Sequence, residues 1–152
     1  MPELSIGDKA PDFALPTGDG RTLSLKDFRG TTVVLYFYPK DNTSGCTKES
    51  CSFRDNITAV AKKKAVIVGI SVDSPESHKK FADKFGLPFA LLSDLKKDVV
   101  KKYGVWKQKS LYGRKYMGTE RTTFIIDAKG IIKQIFRKVK VDGHTEEVLA
   151  AL

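Results

Sequence analysis

Cysteine is scarce in this chain: only Cys46 and Cys51 occur in 152 residues. Two thiols are too few for a disulfide scaffold, and no apolar run approaches the ~20 residues of a membrane span. The opening MPELSIGDKAPDF has neither a basic start nor an apolar core segment. Nothing there marks it for secretion, so a cytoplasmic location is expected. No repeat, linker or low-complexity segment interrupts the chain. Its length and 41 % apolar content fit one domain, expected over 1–152, with a core of its own. In a reducing compartment, so few cysteines point to chemistry rather than cross-linking.

Acidic residues are also short in supply: 18 Asp and Glu face 27 Lys and Arg, for a net charge of +9. The excess is scattered over 62–64, 107–115 and 129–140. It accompanies no nucleic-acid module, and the aromatic residues mostly lie inside apolar runs. A solvated basic surface is therefore expected, without a nucleic-acid partner. The two histidines, His78 and His144, are distant from each other and from the cysteines. They lack metal-ligand spacing and read as surface helix residues, so neither metal nor cofactor is expected.

Two continuous apolar, β-branched runs stand out, 32–38 (TVVLYFY) and 66–72 (VIVGISV). They have the signature of strands buried on both faces of a parallel sheet. Residues 11–25 read as a hairpin around a Gly-rich turn at 17–20, and 46–63 has helical spacing. Ser74, Pro75 and Glu76 form a helix start, with that helix stopping at Gly86. A short strand at 89–92, a helix at 96–103, an antiparallel pair at 122–126 and 131–136, and a final helix over 146–152 complete the order. The stretch 105–120 has no clear period and reads as a long ordered loop. The fold class is thus α/β, a thioredoxin-like arrangement of a central mixed sheet flanked by helices with an N-terminal hairpin.

The chemistry gathers between the first apolar run and the helix after it. The eight residues PKDNTSGC, from Pro39 to Cys46, put a cysteine in the first turn of a helix, where unpaired N–H groups and the positive dipole end favour a thiolate. A hydroxyl, Thr43, lies three residues upstream and Cys51 five downstream. The site reads as a nucleophile in a small anion-binding nest with a second thiol nearby. Taken alone, Cys46 also reads as a small buried hydrophobe, Cys51 as an apolar helix residue, Thr43 as a cap and Arg121 as a surface strand residue.

Four stretches carry a resemblance: 7–13 (GDKAPDF), 36–41 (YFYPKD), 45–55 (GCTKESCSFRD) and 121–127 (RTTFIID). With them the chain resembles the peroxiredoxins over nearly its whole length, and in particular the bacterioferritin comigratory protein, or peroxiredoxin Q, branch. The resemblance implies a thiol peroxidase that reduces hydrogen peroxide and organic hydroperoxides and is recycled by thioredoxin or a similar thiol. It implies that Cys46 is the peroxidatic cysteine and Cys51 the resolving one, joined as an intramolecular disulfide. Thr43 is then the hydroxyl that helps hold the peroxide, and Arg121 the cation that favours the thiolate and polarises the O–O bond. Pro39 shields the pocket, and Glu49 orients the arginine. The branch is mostly monomeric, which implies a monomer. One residue departs from the pattern: Ser44 stands where many members have proline.

Two other functions compete. A thiol–disulfide oxidoreductase wants Cys-x-x-Cys, which Cys46-x4-Cys51 is not, and a proline where Thr119-Glu120-Arg121 stands. A basic binding or chaperone-like protein would act through charge alone.

Overall fold

The computed structural model describes residues 3–152. Its centre is a five-stranded mixed sheet in the order β5-β4-β3-β8-β9, from β3 (Thr32–Phe37), β4 (Ala65–Ser71), β5 (Ala90–Ser93), β8 (Thr122–Ile126) and β9 (Ile132–Phe136). β3, β4 and β5 run parallel, while β8 is antiparallel to β3 and β9 to β8. The apolar run expected to be buried on both faces is so. Val33, Leu35 and Phe37 enter one core and Val34, Tyr36 and Tyr38 the other, as the period-2 geometry of a strand requires.

One core is closed by the N-terminal segment and by α4 (Asp98–Lys102), through Phe13, Leu25, Val99, Val100 and Tyr103. That segment holds the expected hairpin, β1 (Ala14–Pro16) with β2 (Thr22–Ser24), followed by a 3-10 turn, Leu25–Phe28. The other core is closed by α1 (Ser44–Asp55), α2 (Ile57–Lys62), α3 (Pro75–Phe85) and α5 (His144–Ala151), through Phe53, Val60, Phe81 and Val148. The start of α3 follows its sequence signal: the Ser74 hydroxyl accepts from the Ser77 amide at 3.2 Å, with Pro75 in the first turn. Gly86, with φ of 59°, ends it.

Several expectations need correction. The helix expected over 46–63 is two helices. Asn56 leaves the helical region, at φ −110° and ψ 13°, and its side chain donates to the Ser52 carbonyl at 2.8 Å. The helix expected over 96–103 is shorter, because Lys97 takes a left-handed φ of 64° at its start. The stretch 105–120, expected as a loop, is a hairpin of β6 (Trp106–Leu111) and β7 (Arg114–Thr119), paired only with each other. With both faces largely exposed, its strands show no polar–apolar alternation to read. Both histidines expected at the surface are buried. Each has partners for both ring nitrogens, distant ones for His78 and, for His144, Thr123 and the nearby Glu147, which offset the cost of burying a polar ring.

Candidate active site

Cys46 is the third residue of α1 and is 1 % exposed. The first turn closes through the Thr47 amide, which donates to the Thr43 carbonyl at 2.8 Å. One turn on, Glu49 lies on the same face of the helix and is also buried. Arg121, between the end of β7 and the start of β8, reaches across to both. Its Nη2 lies 3.2 Å from Cys46 Sγ and its Nη1 2.6 Å from Glu49 Oε1. The backbone of Arg121 is pinned in turn, its carbonyl accepting from the Val139 amide at 2.9 Å. Gly45 makes the approach possible: a Cβ there would stand 3.2 Å from Arg121 Nη2.

The electrostatics of the trio are uneven. Burial pushes Glu49 up to about 7, against the pull of the Arg121 charge and hydrogen bond. Its second oxygen, Oε2, is buried with no partner. For Arg121, burial works against the charge, while Glu49 and then the Cys46 sulfur favour it, so the guanidinium remains a fixed cation. A second cation, Lys109 on β6, is half-buried nearby. Burial and then repulsion from Arg121 hold its ammonium below the usual lysine range, while Cys46 and Glu120 pull the other way. Nothing in the sequence singled out Lys109, because its position depends on a hairpin that had no readable period.

The remaining expected site residues surround this trio. Thr43 is the exposed N-cap residue of α1, with extended dihedrals but no side-chain cap. Its hydroxyl instead donates to the Lys40 carbonyl at 2.9 Å, so its oxygen lone pairs, not its proton, remain for a ligand. Pro39 is half-buried at the exit of β3. Ser44 occupies the first helical position, behind an extended Thr43, where proline also fits. Cys51 is partly exposed in the same helix, and both cysteines are free thiols. Within α1 their Cα atoms are separated by the helical ~8.7 Å.

The loop that carries the site is held from behind by a buried network the sequence did not reveal. Asp41 Oδ1 accepts from the Tyr38 hydroxyl at 2.6 Å, and Oδ2 from Ser77 at 2.8 Å. His78 Nδ1 lies 2.7 Å from Oδ2, while Nε2 donates to the Leu92 carbonyl at 2.9 Å. The Asp41 amide donates to Asp73 Oδ2, which also accepts from Ser71. Asp41, Asp73 and His78 offer ligand atoms within 4.8 Å of one another, the one group of residues described here that could gather around a cation. The bonded atoms are already used, and the group acts as a knot tying 38–43 to α3 and the sheet.

A cysteine at a helix start on a thioredoxin-like sheet, with an arginine against its sulfur, defines a thiol-chemistry site of the peroxiredoxin class. The family model AhpC/TSA matches residues 6–135. The chain is 48 % identical to Peroxiredoxin Bcp of Bacillus subtilis over 98 % of its length and 95 % of that protein. Among solved structures, peroxiredoxin Q of Xylella fastidiosa superposes with a TM-score of 0.93 at 36 % identity, covering 99 % of this chain and 96 % of that one. A bacterioferritin comigratory protein of Xanthomonas campestris, described with alkyl peroxide reduction activity, gives 0.87 at 40 % identity, covering 91 % and 88 %. The chain belongs to the AhpC/TSA family, in its bacterioferritin comigratory protein, or peroxiredoxin Q, branch.

Proposed function

We propose that the protein is a thiol peroxidase in which Cys46 attacks hydrogen peroxide or an organic hydroperoxide and Cys51 resolves the product in the same chain. The observation that carries this reading is the 3.2 Å approach of Arg121 Nη2 to the buried Cys46 Sγ. A fixed cation there stabilises the negative charge that develops on the departing oxygen during attack.

The steps balance. The Cys46 thiolate forms an S–O bond as the O–O bond breaks, and the departing alkoxide or hydroxide takes a proton to leave as alcohol or water. Cys46 is then a sulfenic acid. In this reading Arg121 faces the oxygens, and Thr43, its proton already engaged by Lys40, accepts from the peroxide O–H. Glu49 holds the other arm of the guanidinium, and Pro39 narrows the approach. Cys51 then attacks the oxidised sulfur and expels water, forming the Cys46–Cys51 disulfide. That bond needs Cα atoms within about 7 Å, so the helical ~8.7 Å must close by unwinding the first turns of α1. A dithiol reductant of the thioredoxin kind, in a reducing cytoplasm, restores both thiols by exchange. Since the cycle closes within one chain, a monomer suffices.

The test is peroxide consumption coupled to NADPH through thioredoxin and its reductase. Wild type should turn over. Cys46→Ser should be inactive while still folded, since a serine hydroxyl is not ionised at neutral pH. Cys51→Ser should consume one equivalent and then stall. Turnover by Cys46→Ser at the wild-type rate would refute the nucleophile, and a disulfide-linked dimer as the main product would refute the role of Cys51.

A further inference from the structure

The β6–β7 hairpin is the least buried element of the molecule and the most unusual in chemistry. Of the six large hydrophobic side chains exposed among the described residues, four lie on it: Leu111, Tyr112, Tyr116 and Met117. Tyr112, at the tip, is 97 % exposed. Between Trp106 and Thr119 there are four cations and no acid. Lys107 pairs with Glu3, whereas Lys109, Arg114 and Lys115 have no ion pair among the described residues. Clusters of this kind on a surface mark contacts with something else.

The turn itself adds a second observation. Leu111 pairs with Arg114, leaving Tyr112 and Gly113 as a two-residue loop with φ of 51° and 77°. Positive φ at both positions is the type I′ hairpin turn, whose favoured first residue is asparagine or aspartate. A bulky aromatic in this conformation is uncommon. The chain thus carries a large side chain at its most exposed point against local preference. Register puts Leu111, Arg114, Lys109 and Tyr116 on one face and Ser110, Lys115, Gln108 and Met117 on the other. Each face carries an apolar group beside a cation.

We propose that this hairpin docks the protein on an anionic phospholipid surface. Tyr112 and Leu111 enter the headgroup region, and Arg114 and Lys115 meet the phosphates. The features that favour a lipid surface over a protein partner are a convex tip rather than a groove, an aromatic suited to the interface, and the exposed cations Arg114 and Lys115 beside the turn in a chain of net charge +9. Each basic residue near such a surface strengthens binding about fivefold, so two give about a twenty-five-fold preference over neutral lipid. Because β7 leads within two residues to Arg121, a docked hairpin brings the Cys46–Arg121 pair toward the same surface. The binding itself does not depend on the peroxidase reading.

The test is sedimentation of the full chain with vesicles of phosphatidylcholine alone and of equal parts phosphatidylcholine and phosphatidylglycerol. Binding should favour the anionic vesicles about twenty-five-fold and fall about tenfold or more in Arg114→Glu/Lys115→Glu. Tyr112→Asn supplies the residue the turn prefers, so its melting temperature should hold or rise while vesicle binding drops. Hydrogen peroxide consumption should be unchanged in both variants, which checks their fold. Absence of binding to anionic vesicles would overturn the proposal. So would equal binding by wild type and both variants, since overall charge alone would then account for it.

Discussion

Asp41 and Glu49 are both buried carboxylates, one just before α1 and one inside it, yet their surroundings are opposite. Asp41 accepts on both oxygens, from Tyr38 on one and from Ser77 on the other, with His78 Nδ1 2.7 Å from the second. Glu49 has one arm of Arg121 on Oε1 and nothing on Oε2. The first arrangement fixes the backbone where the site loop leaves the sheet. The second leaves a carboxylate whose ionisation is opposed by burial, one helical turn from the reactive thiol. A satisfied carboxylate holds; an unsatisfied one is poised. In the proposed cycle, the pair separates the loop before α1, which stays, from the first turns of α1, which yield.

Asp41→Asn is the harshest way to break the comparison. An amide cannot accept at both positions, so a buried donor on Tyr38 or Ser77 loses a partner, at a cost of about 3 kcal/mol. Urea melts should show this loss. A change below about 1 kcal/mol would mean the network is not holding the loop.

Arg121→Met attacks the other side. Removing one preorganised donor should slow peroxide attack on Cys46 by about a hundredfold, close to 2.7 kcal/mol of barrier, and the melt should fall as well, because the buried Glu49 loses the partner on its Oε1. Stopped-flow rates within a few-fold of wild type would show that the 3.2 Å contact does not act in the reaction.

Glu49 gives the smallest effect and the sharpest one in pH. Its folded value of about 7 lies above the unfolded value of 4.5, so between them the folded chain holds more protons than the unfolded one. Its contribution to stability is therefore complete below 4.5 and is lost as pH rises through 7. Between pH 5 and pH 7 the loss is about 2 kcal/mol. Glu49→Gln should remove that slope. Parallel stability curves for wild type and Glu49→Gln would contradict the shift.

How much of this was readable in the sequence follows the range of the interactions. β3 and β4 were legible because burial on both faces demands continuous apolar residues. The start of α3 was legible because Ser74 and Pro75 act within one turn. Cys46 stood out through its motif, whereas its pairing with Arg121, and of Arg121 with Glu49, came only from resemblance. Those contacts span 75 and 72 residues and leave no local mark. The Asp41 knot escaped for the same reason, and with it the burial of His78. The β6–β7 hairpin failed differently: it has a short-range turn, but Tyr112 stands where the usual signal would place asparagine.

The most direct test of the separation between fixed and yielding parts is hydrogen exchange on the reduced and the peroxide-oxidised protein, with the Cys46–Cys51 bond confirmed by peptide mapping. The amides of 44–55 should lose protection on oxidation, because the helical ~8.7 Å cannot be bridged as it stands. The Asp41 amide, bonded to Asp73, and those of β3 should keep theirs. Equal protection of 44–55 in both states, alongside a proven disulfide, would contradict the account.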